Sequence, residues 1–206
     1  MSKTHKRNTA LSDRSLKQVL IEVSEKIVEE DGLRALSLRA AARAAGVSHM
    51  APYRHFEDKD ALLAAVAGKG FLGLANAMAD SGIGQNDPVD RLRSIGITYV
   101  YFAYSNPGLF RLMFSAGITD RTRFAELTAA GEIAFSVCAN AVSDCYAGET
   151  ALDPEVLHRR ALNMWSLVHG LGTLMIDDHI DLNTSDPVKL RAKIGTILDE
   201  SSGWLP

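Results

Sequence analysis

Apolar residues recur at helical spacing along almost the whole chain. Over residues 13–31, Leu16, Val19, Leu20, Val23 and Ile27 form a stripe, and Lys17, Glu22, Glu25, Lys26 and Glu29 fill the other face. Gly32 ends that pattern. Leu38, Ala41, Ala42 and Ala45 repeat it on a shorter scale within Ser37–Phe56, SLRAAARAAGVSHMAPYRHF. Ser37 suits a helix N-cap, and Gly46 interrupts the stripe as a residue at positive φ would. Ser48 suits the cap of a second short helix, with Pro52 early in it. Val47 and Phe56 are expected in the core, and small alanines let the helices approach closely. Two short helices joined by a tight turn are the shape of a helix-turn-helix, whose second helix enters the major groove of DNA.

The pattern continues. Asp58 is the N-cap of a helix with Ala61, Leu62, Leu63, Val66 and Phe71, and residues 80–88 (DSGIGQNDP) break it. A helix from Pro88 carries Leu92, Ile95, Val100, Phe102 and Ala103, with Tyr99, Tyr101 and Tyr104 adding aromatic and polar surface. Asn106-Pro107-Gly108 stops it, and Leu109–Phe114 make a dense apolar turn. Residues 122–147 read as one long helix ended by Gly148. Asp153-Pro154 opens a helix to about residue 178, too apolar for a single buried side, and Asp186-Pro187 opens the last one, where Gly195 allows close approach. No useful β-alternation occurs, so the predicted fold class is all-α: an N-terminal three-helix helix-turn-helix domain, then a larger helical bundle.

Charge sharpens this picture. The net charge of the 206 residues is -3, but it is unevenly distributed. Residues 1–60 hold eleven Lys/Arg against nine Asp/Glu, and the remainder hold eleven against sixteen. A basic end on an acidic body fits nucleic-acid contact at the N-terminus. Residues 1–11 read as an arm in which Lys3, Lys6 and Arg7 suit phosphates or solvent equally. Ser48, His49, Tyr53, Arg54, His55 and Lys59 suit phosphates and base edges better than a core, and Met50 suits a thymine methyl. Lys59 sits where it opposes a helix dipole, which makes sense beside a phosphate.

Chemistry is sparse. Cys138 and Cys145 resemble neither a disulfide framework nor a zinc site, and read as buried thiols. There is no Gly-rich phosphate loop or nucleophile motif, so neither enzymatic activity nor a metal or other cofactor is expected. No apolar run is expected to reach membrane-spanning length and no signal peptide is visible, which implies a cytoplasmic protein without a membrane partner. The aromatic and methionine side chains of the body suit an apolar cavity. The candidates are Tyr99, Phe102, Phe110, Met113, Phe114, Phe135, Met164, Trp165 and His169, each of which suits plain core as well. His169, buried beside aromatics, must find a hydrogen-bond partner.

Gly32, Ser37, Ala45-Gly46-Val47-Ser48, and Tyr53-Arg54-His55-Phe56 followed by Lys59 occur in an order and spacing that resemble the DNA-binding domain of the TetR family of bacterial transcriptional regulators. Met50 and Pro52 depart from the usual residues. Trp165…His169-Gly170, with Tyr99, Phe102-Ala103, Asn106–Arg111 and Met113-Phe114, is similar to the subfamily whose effector domain is marked by Trp-His-Gly. The resemblance implies residues 1–57 as arm and DNA-binding domain, 58–79 as connecting helix, and 80–206 as effector-binding and dimerisation domain. It implies a homodimer paired through the last two helices, acting as a ligand-responsive repressor on a palindromic double-stranded operator. The DNA-binding set would be Ser37, Ser48, His49, Met50, Tyr53, Arg54, His55 and Lys59, and the effector a small apolar molecule. An activator of the same architecture, or a helical ligand-binding or interaction protein without operator recognition, remains an alternative.

Overall fold

The computed structural model describes residues 9–115, 117–118, 120–147 and 152–201, with side chains from residue 16 onward. The arm residues Lys3, Lys6 and Arg7, and the helix stop at Gly148, lie outside the described residues. The described residues form eight α-helices: α1 (Thr9–Asp31), α2 (Leu38–Ala44), α3 (Lys59–Ser81), α4 (Pro88–Ser105), α5 (Pro107–Phe114), α6 (Ala125–Cys145), α7 (Pro154–Ile176) and α8 (Pro187–Glu200). Short 3-10 turns lie at Pro52–Arg54 and Arg121–Arg123. The fold is all-α, with an N-terminal helix cluster and a larger helical bundle.

Local chemistry sets most boundaries. Ser37 accepts from the Ala40 N–H at 3.1 Å and starts α2, while Asp58 accepts from Ala61 at 2.8 Å and starts α3. Asp87, Asp153 and Asp186 cap α4, α7 and α8, each followed by proline at the first helical position. Gly46 has φ +66°, the left-handed conformation that the turn after α2 requires.

Several boundaries differ from expectation. Helix α1 begins at Thr9, so the last residues assigned to the arm are helical. The segment after Gly46 is not an α-helix capped by Ser48. It is a turn in which the Ser48 carbonyl accepts from Ala51, followed by the 3-10 turn Pro52–Arg54 without a side-chain cap. Pro52 has no N–H, and its carbonyl accepts from both His55 and Phe56, which closes the segment within one turn. The expected 122–147 helix divides, because Asp120 caps the Arg121–Arg123 turn before α6 starts. Leu109–Phe114 belong to a helix, α5, rather than a turn. Tyr99 is 1% exposed, so it is core, not surface, whereas Tyr104 is exposed. Helix α3 also overturns the expectation about apolar runs. Its 23 residues are long and apolar enough to cross a membrane, with mean hydropathy 1.5. In the structure 61% of that apolar window is buried, and Leu62, Leu63, Val66, Ala67, Leu74 and Met78 are core residues.

The chain forms two compact units that are discontinuous in sequence, residues 1–70 with 108–128, and 71–107 with 129–206. In the first, α1 packs on α2 and α2 on the Pro52–Arg54 turn, with Leu20, Val28, Leu36, Ala41, Ala42 and Phe56 in the core. Val47 is only half-buried. Lys69 on α3 pairs with Glu25 on α1 at 2.6 Å. Glu29 on α1 accepts from the Gly108 and Leu109 N–H groups, at 3.0 and 2.7 Å, and so caps the start of α5 with a carboxylate. In the second unit α4 packs on α7 and α8. Arg93 forms a two-pronged pair with Asp199, both bonds 2.7 Å, and Arg191 lies over the Tyr101 ring at 3.8 Å.

Candidate nucleic-acid interface and internal cavity

The first unit presents a row of solvent-facing side chains. Ser48, His49, Met50, Tyr53, Arg54 and Lys59 are exposed, Met50 by 70% and Tyr53 by 48%. Their exposure leaves the Met50 and Tyr53 side chains accessible to an approaching surface. In the same segment Pro52 and Phe56 are buried and anchor the short turn. His55 is half-buried beside Phe56, with ring centroids 6.5 Å apart, and its Nε2 is buried without a protein partner. Ser37 is exposed at the start of α2, with its oxygen engaged by the Ala40 N–H. The exposed set offers hydroxyl, imidazole and cationic donors, and those groups bond phosphate oxygens and base edges.

The acidic groups of this surface are themselves paired. Arg123 lies 2.9 Å from Asp58 and 3.6 Å from Glu57. The Ala61 N–H and the Arg123 guanidinium hold the Asp58 carboxyl below its ordinary pKa. Nothing in the local sequence signals this pair, whose partners lie 65 positions apart.

The second unit holds an internal cavity of about 10 Å³, lined by Met78, Leu92, Ile95, Gly96, Tyr99, Cys138, Met164, Trp165 and Val168. The room is about that of one water. Of the nine effector candidates, Tyr99, Met164 and Trp165 line it. Phe135 meets the Trp165 ring edge-on at 5.5 Å, and Trp165 meets Tyr99 at 4.9 Å. The Tyr99 hydroxyl and His169 Nδ1 are 3.0 Å apart, so each polar group has the partner that burial demands. Burial pushes the Tyr99 phenol up, the Cys138 thiol up to about 12, and the His169 imidazole below its usual value. The tyrosine therefore stays protonated near neutral pH. Phe102 is half-buried on α4, its ring near Gly73. The structure does not bring Phe110, Met113 and Phe114 to the cavity. They sit on α5 in the first unit, where the Phe110 and Phe114 rings are 4.9 Å apart. Leu92, Ile95, Cys138 and Val168 are cavity residues that sequence reasoning did not assign, since their spacing is that of ordinary core. Among the described residues no cluster of three or more His, Cys, Asp or Glu could hold a metal ion.

Residues 20–66 match the family described as bacterial regulatory proteins, tetR family, and residues 92–193 match the tetracyclin repressor-like C-terminal domain. The fold is similar to the solved structure of a Rhodococcus sp. RHA1 protein of unknown function, with 28% identity and TM-score 0.74, over 98% of this chain and 97% of that one. It is also similar to the TetR family transcriptional regulator PfmR from Thermus thermophilus, with 20% identity and TM-score 0.62, over 87% and 97%. A curated relative, the uncharacterized HTH-type transcriptional regulator YobS of Bacillus subtilis (strain 168), is 27% identical over 93 residues, 45% of this chain and 48% of that protein. The chain thus matches about half the length of that relative. Members of the TetR family are DNA-binding regulators, not enzymes. With one family match on the helix-turn-helix unit and the other on the helical body, the chain is built of the two domains of the TetR family of DNA-binding regulatory proteins.

Proposed function

We propose that the protein is a cytoplasmic, homodimeric repressor that releases a palindromic operator when a small apolar molecule binds its helical body. The observation that carries this reading is the exposed row Ser48, His49, Met50, Tyr53, Arg54 and Lys59, in the segment that buried Pro52 and Phe56 anchor. Ser48, His49 and Met50 would reach base edges, whereas Ser37, Tyr53, Arg54, His55 and Lys59 would hold phosphates. Residues 1–57 form the arm and DNA-binding domain in this reading, 58–79 the connecting helix, and 80–206 the effector and dimerisation domain. The Trp165…His169-Gly170 arrangement supports the Trp-His-Gly subfamily.

A reading head this small needs a second copy for affinity, and a two-fold dimer spaces two heads about one DNA turn or a multiple apart. Leu162 and Leu174 on α7, 43% and 42% exposed, support pairing through the last two helices. The cavity of about 10 Å³ is far smaller than the ~300–1,000 Å³ of an ordinary ligand site. An effector would therefore bind a state in which α4, α6 and α7 stand further apart. Binding only that state, it would draw the population away from the DNA-competent one. The test is selection of duplexes by the purified protein from a random-sequence pool. A two-fold-symmetric site, with a dimer's mass bound to it, is the expected result. An asymmetric site holding one chain would overturn the homodimer.

A further inference from the structure

Between Ser48 and Asp60 the chain carries two cations, Arg54 and Lys59, against three carboxylates, Glu57, Asp58 and Asp60. Within this stretch the carboxylates outnumber the cations, and each carboxylate repels an approaching phosphate. The balancing charge comes from elsewhere in the chain. Arg123 Nη2 lies 2.9 Å from Asp58 Oδ2 and 3.6 Å from Glu57 Oε2, and Asp60 adds to the field that raises the Arg123 pKa. The arginine is delivered by a built segment. Asp120 accepts from the Thr122 N–H at 3.0 Å and the Thr122 hydroxyl at 2.6 Å. Arg121 donates to the Met113 and Ser115 carbonyls, at 2.7 and 3.4 Å, and the Arg123 guanidinium lies over the Phe124 ring at 5.1 Å. The segment belongs to the same compact unit as the helix-turn-helix, although its sequence falls within the C-terminal family match.

We infer that Arg123 is a positioning residue of the DNA-binding surface, which acts by neutralising Glu57, Asp58 and Asp60 beside Lys59. An exposed ion pair of this kind contributes little to stability, so its effect falls on the field that DNA meets. The site is read in two parts of the chain: residues 48–59 supply the contacts, and residue 123 supplies the charge that lets those contacts form. This inference rests on the DNA-binding reading.

The experiment measures affinity for the duplex that wild-type protein selects from a random-sequence pool, together with thermal midpoint. Arg123→Ala should weaken binding about fivefold at low salt while leaving the thermal midpoint unchanged. Arg123→Lys should retain affinity. Glu57→Gln placed in the Arg123→Ala protein should restore most of the loss, because it removes the charge the arginine had balanced. Wild-type affinity in Arg123→Ala, or a loss that Glu57→Gln does not restore, overturns the inference while leaving DNA binding intact. Absence of duplex binding by the wild type overturns the DNA-binding reading itself, and this inference with it.

Discussion

Replacing Gly108 with alanine should destabilise the protein strongly. An ideal Cβ at this position lies 2.6 Å from the Val28 carbonyl oxygen, and 3.0 Å from Val28 C and Glu29 Cα. All three are backbone atoms of α1, so no side chain can swing aside. Ordinary carbon–oxygen contacts begin at about 3.3 Å, and the start of α5 must retreat by roughly 0.7 Å. That retreat stretches the bonds from Gly108 and Leu109 to Glu29, now 3.0 and 2.7 Å, beyond good geometry. Overpacking costs about 1–3 kcal/mol, and weakening a hydrogen bond to a charged group adds about 1 kcal/mol. A loss of about 3 kcal/mol corresponds to roughly 6–12 °C in a chain of this size. Calorimetric and denaturant unfolding at neutral pH would measure it. Glu29→Ala removes the same capping interaction from the other side, so the double variant should lose less than the two single losses combined. A Gly108→Ala midpoint within about 2 °C of wild type, or strict additivity with Glu29→Ala, would refute the close packing of α5 on α1.

Three further outcomes follow from the same structure. Ser37→Ala removes the α2 cap and should cost about 1 kcal/mol in urea unfolding. Burial holds the His169 pKa below that of the unfolded chain, so the unfolded state binds more protons just below about pH 6.5. Stability should therefore be full above that pH and fall as pH drops through the window, and His169→Gln should flatten the dependence of the urea midpoint. Tyr53→Ala should weaken binding to all duplexes nearly equally, whereas His49→Ala should relax base preference, both read from duplex selection; a changed preference in Tyr53→Ala would reverse the two roles.

The sequence-legible part of the fold is the part set by neighbours along the chain. Ser37, Gly46, Asp58 and the three Asp-Pro starts act on residues within a turn of themselves, so their roles follow from local chemistry. The 3-10 turn at Pro52 is harder to foresee, since an early proline is compatible with an α-helix and the outcome depends on which carbonyl its neighbours bond. The contacts that tie α5 to α1, and Arg123 to Asp58, join residues 79 and 65 positions apart, and no periodicity encodes them. Tyr99 is indistinguishable from Tyr101 and Tyr104 in composition, and only packing makes it core. The same limit applies to the effector candidates, for aromatic residues at helical spacing look alike whether they line a cavity or fill α5.

The most direct test of the account is the affinity of purified protein for its selected duplex and for a scrambled duplex, followed from about 50 to about 200 mM salt. Both affinities should fall with salt, as phosphate contacts require, and the selected duplex should stay bound at the upper end. Equal affinities that both vanish at moderate salt would contradict the account, because the exposed row from Ser48 to Lys59 would then not read sequence.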